Sequence, residues 1–238
     1  AVAYTHTYAN IAQGVDKMEL IIGNKNYSSW SLRPWLLLKH FQVPFDETLI
    51  PLYQVDSAAL LAQHSPSLKV PVLKDESLTV WDSLAICDYL NEHYLNGQAL
   101  PTERAARAEC RSFCAEMHSG FQHLRNDLPM NCRSAKHLEL SADCLGDIRR
   151  IDSLWQQALN TYEGPFLFGE FSLADCMFAP VASRFSTYDV KVSALSQRYV
   201  TKILGLPATL EWYASAAEEP YNLPASEVGD KSIKKLSP

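Results

Sequence analysis

The sequence predicts two units of different class: a small mixed α/β unit over residues 18–96, followed by an all-helical unit over 103–220. Three observations carry that expectation. Before residue 96, short apolar runs suited to strands alternate with helical patterns. The stretch "LNGQALP" then supplies the Gly and Pro of a boundary. Beyond it, apolar residues recur only at steps of three and four, and no convincing strand follows.

The elements follow in order. "MELIIG", from Met18, reads as a strand, and Trp30 to Phe41 as a helix with Leu32, Trp35, Leu36 and Leu38 on its apolar side. "FDETLIPL" reads as a second strand and Asp56 to Gln63 as a short helix. "VPVLK" and "LTVW", separated by Asp75-Glu76-Ser77, have the spacing of a hairpin. Asp82 to Tyr94 closes the first unit as a helix striped by Ala85, Ile86, Tyr89 and Leu90. In the second unit Thr102 is placed to cap a long helix through Cys110, Cys114, Met117, Phe121, Leu124 and Leu128, which Pro129 should end. A further helix is expected over Ser141 to Tyr162, with Leu145, Ile148, Trp155, Ala158 and Leu159 buried, and others near Ser193 to Leu204 and Ala208 to Glu218. Residues 1–17 read as an extension outside the fold, and 221–238 as a loosely held polar tail.

At 238 residues the chain can bury a substantial core, and 47% apolar with 20% charged residues is ordinary for a globular protein. A net charge of −6 with scattered basic residues disfavours nucleic acid or an anionic membrane as partner. No apolar run approaches the roughly 18 residues that span a bilayer. The six cysteines lie in helix-like segments without a short-loop framework, so reduced thiols in a cytoplasmic protein are expected, and no metal site; the Cys110/Cys114 spacing suits a packed helix face.

Three local features carry chemistry. The first is "NYSSWSLR", where Ser28, Ser29 and Ser31 cluster at a helix start. One Ser there caps unpaired backbone N–H groups, whereas three raise the prospect that the turn binds a ligand. The second is Val70-Pro71 at a strand entry, where an X-Pro bond tolerates the cis form. The third is Asp82-Ser83, which places a carboxylate, a hydroxyl and free N–H groups at the next helix start.

Together with Ser172-Leu173-Ala174-Asp175, a capping box in the helical unit, these features resemble the glutathione S-transferase family from Met18 to about Pro220. The resemblance implies a thioredoxin-like amino-terminal domain and a carboxy-terminal helical bundle, and the serine turn is similar to that of the zeta, tau and theta branches. It implies Ser28 as the catalytic hydroxyl with Ser29 as close second, Val70-Pro71 as the cis-proline step that pairs with the cysteinyl part of glutathione, and Asp82-Ser83 as the holder of the glutamyl end. Asp82 departs from the family's usual Glu or Gln by one methylene or an amide, and "SSWS" departs from the zeta branch's Ser-Ser-Cys run. A small electrophile should lie over the serine turn against the first long helix, with Trp30, Met117 and Phe121, and also His118 and Arg125, as candidates. A homodimer and a role in detoxification are implied.

The chemistry such a site must supply is definite. A free thiol of pKa roughly 8.5 is only about 3% thiolate at pH 7, and the thiolate is the nucleophile. Lowering that pKa by two units takes about 2.7 kcal/mol, within reach of a hydroxyl donor plus a helix amino terminus. Transferase, isomerase and glutathione-dependent peroxidase activities all use this anion. The contrasting expectation is a non-enzymatic binding module of the same fold, and retention of Ser28, Val70-Pro71 and Asp82-Ser83 together argues against it.

Overall fold

The structure, a computed structural model, describes residues 18–231. The expected extension over 1–17 and the last seven residues of the tail lie outside the described residues. The first unit runs β1 (Glu19–Ile22), α1 (Ser29–His40), β2 (Asp46–Leu49), α2 (Ser57–His64), β3 (Val72–Asp75), β4 (Leu78–Trp81) and α3 (Ser83–His93). Its sheet has the order β2-β1-β3-β4, with β1 parallel to β2 and antiparallel to β3, and β3 antiparallel to β4. This is the thioredoxin-like arrangement.

Side chains alternate across the strands, and both faces are covered. Leu20, Ile22 and Leu73 face the main core with α1 and α3, while Ile21, Val72 and Ile50 form a separate small cluster against Leu61 of α2. The sheet therefore holds α1 and α3 on one side and α2 on the other. Their amino termini, and the loops before them, form the rim on which the site is built.

The helical unit comprises α4 (Arg104–Ser119), α5 (Gln122–Asp127), α6 (Ala142–Tyr162), α7 (Leu173–Thr187), α8 (Ala194–Leu204) and α9 (Pro207–Glu218). Every residue of α7 except Ser186 is buried, as expected of a helix packed on all sides. It packs against α1, α4 and α8, so the two units share one core. Trp155, Trp35 and Trp212 are wholly buried, and Trp35 meets Trp212 edge-on at 5.0 Å.

Several expectations are corrected. The long helix expected to run to Pro129 breaks at Gly120-Phe121, where Phe121 adopts φ +58°. The Arg125 side chain makes the break tolerable by donating to the carbonyls of Met117 and Gly120, which the end of α4 leaves unpaired. Glu103 caps α4 in place of Thr102, accepting from the N–H groups of Ala105 and Ala106 at 2.9 and 2.7 Å. Leu145 is 39% exposed, off the buried stripe of α6. A two-residue ladder joins β5 (Lys136–His137) to β6 (Asp230–Lys231), so strands do recur after residue 96.

The largest correction concerns the tail, because residues 219–231 are tied down. The Glu219 carboxylate accepts from the N–H groups of Lys25 (2.6 Å) and Asn26 (3.3 Å) in the β1–α1 turn. Glu227 accepts from the Tyr27 hydroxyl (2.7 Å) and Asn131 Nδ2 (2.8 Å), and pairs with Lys136 at 2.9 Å. The tail is polar because its carboxylates are the partners of a distant turn, which no local pattern reveals.

Candidate functional site

The turn before α1 is fixed from outside itself. Asn26 Oδ1 accepts from the N–H groups of Cys132 and Arg133, Trp212 Nε1 donates to the Lys25 carbonyl, and the Tyr27 hydroxyl accepts from Arg133 at 2.8 Å. Ser28 is the N-cap of α1: its Oγ accepts from Ser31 N–H (3.3 Å) and donates to Ser31 Oγ at 2.7 Å. Ser31 Oγ in turn accepts from Gly23 N–H at 3.1 Å. The Ser29 hydroxyl has no hydrogen-bond partner among the described residues, and Ser28 and Ser29 both line a cavity of about 630 Å³. Apolar walls come from Leu52, Leu61 and Leu223, with Tyr27 and Trp30 at the turn itself.

A second cavity of about 510 Å³ adjoins the first through Trp30, Lys69 and Val70, and is lined further by Pro71, Asp82, Ser83 and His118. The Val70-Pro71 peptide is cis. Asp82 sits at φ +76° and caps α3, its Oδ1 accepting from Leu84 N–H (2.9 Å) and Ala85 N–H (3.2 Å). Its other oxygen lies 3.1 Å from His118 Nε2. Burial holds the His118 pKa below its ordinary value despite Asp82, with Arg33 and Arg125 adding to the depression.

Ser83 is buried, and Arg33 NH1 donates to its Oγ at 3.2 Å. The Arg33 guanidinium is wholly buried, and its Nε and other terminal nitrogen have no partner among the described residues. Burial, with Arg125 and Arg184 nearby, lowers its pKa to about 9, so it remains a cation at pH 7. Arg33 and Arg125 lie 4.3 and 4.7 Å from the Trp30 ring, and His118 meets that ring edge-on at 5.4 Å. The site is thus positive beneath Ser83, as it is at the amino ends of α1 and α3.

Of the residues singled out from sequence, Ser28, Ser29, Trp30, Val70, Pro71, Asp82 and Ser83 line these two joined cavities. Met117, on the buried face of α4, and Phe121, at the break after it, are core residues that line neither. Sequence reasoning passed over Arg33, Lys69, Tyr27 and the tail residues Leu223 and Ser226. Arg33 carried a signal: it is a charged residue set within the apolar run Leu32, Pro34, Trp35 and Leu36 of α1.

Residues 27–93 match the model of the glutathione S-transferase N-terminal domain, and residues 107–215 that of the glutathione S-transferase C-terminal domain. The chain belongs to the glutathione S-transferase family. A "Probable maleylacetoacetate isomerase" of Caenorhabditis elegans is 31% identical over 98 residues, covering 41% of this chain and 45% of that relative, so the match spans less than half of the relative's length. A "Stringent starvation protein A homolog" of Coxiella burnetii is 24% identical over 160 residues, 67% of this chain and 73% of the relative. Among solved structures, a glutathione transferase homolog from Burkholderia with bound glutathione superposes with TM-score 0.68 at 21% identity, covering 86% of this chain and all of that one. At that identity the likeness establishes the transferase fold.

All six cysteines are free and buried, and the hydrogen bond with Cys114 lowers the Cys110 thiol below its ordinary value. Burial pushes the Cys87 and Cys132 thiols up to about 12, and among the described residues no cluster of His, Cys, Asp and Glu is arranged to hold a metal.

Proposed function

We propose that the chain is a glutathione-dependent transferase or isomerase acting on a small electrophile through a stabilised thiolate. The observation that carries this reading is the convergence of two helix amino termini, bearing Ser28-Ser29 and Asp82-Ser83, on cavities that meet at Lys69-Val70. Ser83, with the cationic Arg33 behind it, suits the glutamyl carboxylate, and the Asp82 oxygen that meets His118 suits the glutamyl amino group. The cysteinyl sulfur then reaches the serine turn, with Val70 and Pro71 beside it. The apolar end of the larger cavity, between Leu52, Leu61 and Leu223, receives the electrophile, with Trp30 as the shared wall.

The proton of the thiol leaves to solvent, and the anion is held by a serine hydroxyl and the α1 amino terminus. Attack forms the carbon–sulfur bond. In a conjugation the leaving group departs with the bonding electrons; in an isomerisation the sulfur is later expelled. The curated relatives described as isomerases support keeping the second outcome beside the first.

Calorimetric titration with glutathione, followed by a conjugation assay with 1-chloro-2,4-dinitrobenzene and an isomerisation assay on a cis-enone diacid, tests the reading. Binding with turnover in either assay is expected. Absence of binding would overturn it. A second reading, a glutathione-binding module without catalysis, is favoured by the engagement of Ser28 with Ser31 and of Asp82 with His118. Binding without turnover would select it. We further propose pairing with a second copy, which the exposed Tyr53 and Val55, 84% and 100% accessible, support and sedimentation would check.

A further inference from the structure

The Ser28 proton is already committed. Its hydroxyl donates to Ser31 Oγ at 2.7 Å, and a proton directed there cannot also be directed at sulfur. Ser31 is wholly buried in the first turn of α1 and lines neither cavity, so it does not touch a ligand. Its Oγ accepts from Gly23 N–H and from Ser28. A hydroxyl has one proton and two lone pairs, so the bond between the two serines can run in either direction without breaking the Gly23 contact.

We propose that Ser31 is a positioning residue for the thiolate: on ionisation of the bound thiol it reverses its hydrogen bond with Ser28 and becomes the donor. Ser28 then rotates its own proton to the sulfur. Ser31 donates to Ser28, Ser28 donates to the anion, and Gly23 N–H continues to hold Ser31. Each serine keeps its proton throughout, and the thiol proton passes to water, so no base is required. The chain of two aligned hydroxyls polarises toward the sulfur more strongly than one would. The Ser31 N–H, which points at Ser28 Oγ, adds to the same pull.

This rests on the reading of Ser28 as the sulfur's donor, and the experiment separates the two. The ionisation midpoint of bound glutathione is measured by ultraviolet absorbance in the wild type and in Ser28→Ala, Ser31→Ala and the double variant. Ser28→Ala should raise the midpoint most of the way to the free value, the α1 amino terminus retaining the rest. Ser31→Ala should raise it by about 0.5 to 1 pH unit, with kcat/KM at neutral pH falling roughly three- to tenfold and recovering at high pH. Because Ser31 acts through Ser28, the double variant should match Ser28→Ala alone. Ser31→Cys, which keeps a weak donor in nearly the same volume, should fall between Ser31→Ala and the wild type, and it serves where the alanine variant folds poorly.

A Ser28→Ala shift with a silent Ser31→Ala overturns the role of Ser31 and leaves the function standing. A Ser31 effect that persists in full on the Ser28→Ala background also overturns it, since that marks a merely structural tether to Gly23. An unchanged midpoint in Ser28→Ala overturns both, and a rise in Ser29→Ala would then move the donor to the neighbouring hydroxyl.

Discussion

Two helix starts in this molecule carry similar side chains and do opposite things. At α7, Ser172 and Asp175 form a reciprocal capping box in which Asp175 accepts from Ser172 N–H and Oγ, from Leu167 N–H and from the Tyr199 hydroxyl. Both residues are buried; Ser172 borders a separate cavity of about 470 Å³, but its hydroxyl proton is donated to Asp175 and not to that space. At α1, Ser28 also caps, yet Ser28 and Ser29 border an open volume, and the Ser29 hydroxyl has no partner among the described residues. The difference teaches that a cap becomes a site when its donors are left in excess beside space. Where every donor is matched, even beside space, the same chemistry only holds the fold.

The sharpest way to break that comparison is to damage the matched start. Asp175→Ala strands four donors in the core and is expected to cost about 3–5 kcal/mol, read as a lowered denaturation midpoint. The isosteric Asp175→Asn adds a pH test. Burial raises the Asp175 pKa to about 6, above its ordinary 3.8. The folded state therefore takes up a proton between those values while the unfolded state does not. Stability from this group accordingly rises as pH falls through 6 and is lost again as pH climbs. Relative to Asp175→Asn, the wild type should gain about 1 kcal/mol between pH 7 and pH 5. A gap that stays constant across that range would show that Asp175 does not titrate there.

The open start should respond mainly in function, with a loss of about 1 kcal/mol of stability from the missing cap. Ser28→Ala removes a donor from the developing anion and is expected to lower turnover of a general electrophile about 100-fold, near 2.7 kcal/mol. Glutathione affinity should stay within about threefold, since most of its contacts lie around Asp82, Ser83 and Val70. Comparable turnover in Ser28→Ala would transfer the role to Ser29 or to backbone donors.

How far the sequence revealed this contrast depends on the range of the interactions. The thioredoxin-like unit was legible because its strands and helices follow local periods, and "VPVLK" and "LTVW" flank a turn whose Glu76 takes φ +53°. Ser28, Asp82 and Ser172 were legible because capping is a short-range rule. The break after α4 was not, since it depends on Arg125 reaching back to carbonyls left at that helix end. Met117 and Phe121 were given to the substrate on helical spacing and position, and neither can tell a helix face turned to the core from one turned to a cavity. Leu223 and Ser226 were invisible because their place is fixed by Glu219 and Glu227, nearly 200 residues from the turn they hold.

That tail sharpens the comparison with the smallest expected effect. Leu223 is 5% exposed and borders the same cavity as Ser28, and its N–H donates to the Tyr27 hydroxyl at 3.3 Å. If the open start serves a second substrate, narrowing this wall should change which electrophile is accepted. Leu223→Trp is expected to lower kcat/KM for a bulky aryl electrophile about tenfold more than for a small alkyl halide, a discrimination of about 1.4 kcal/mol. Because the indole projects into space, the denaturation midpoint should move far less than in Asp175→Ala. An unaltered selectivity ratio would place the electrophile elsewhere, along the Trp30–His118 side of the neighbouring cavity. A large loss of stability would instead make the tail part of the structure that only holds the fold, and the distinction between the two helix starts would then end at Tyr27.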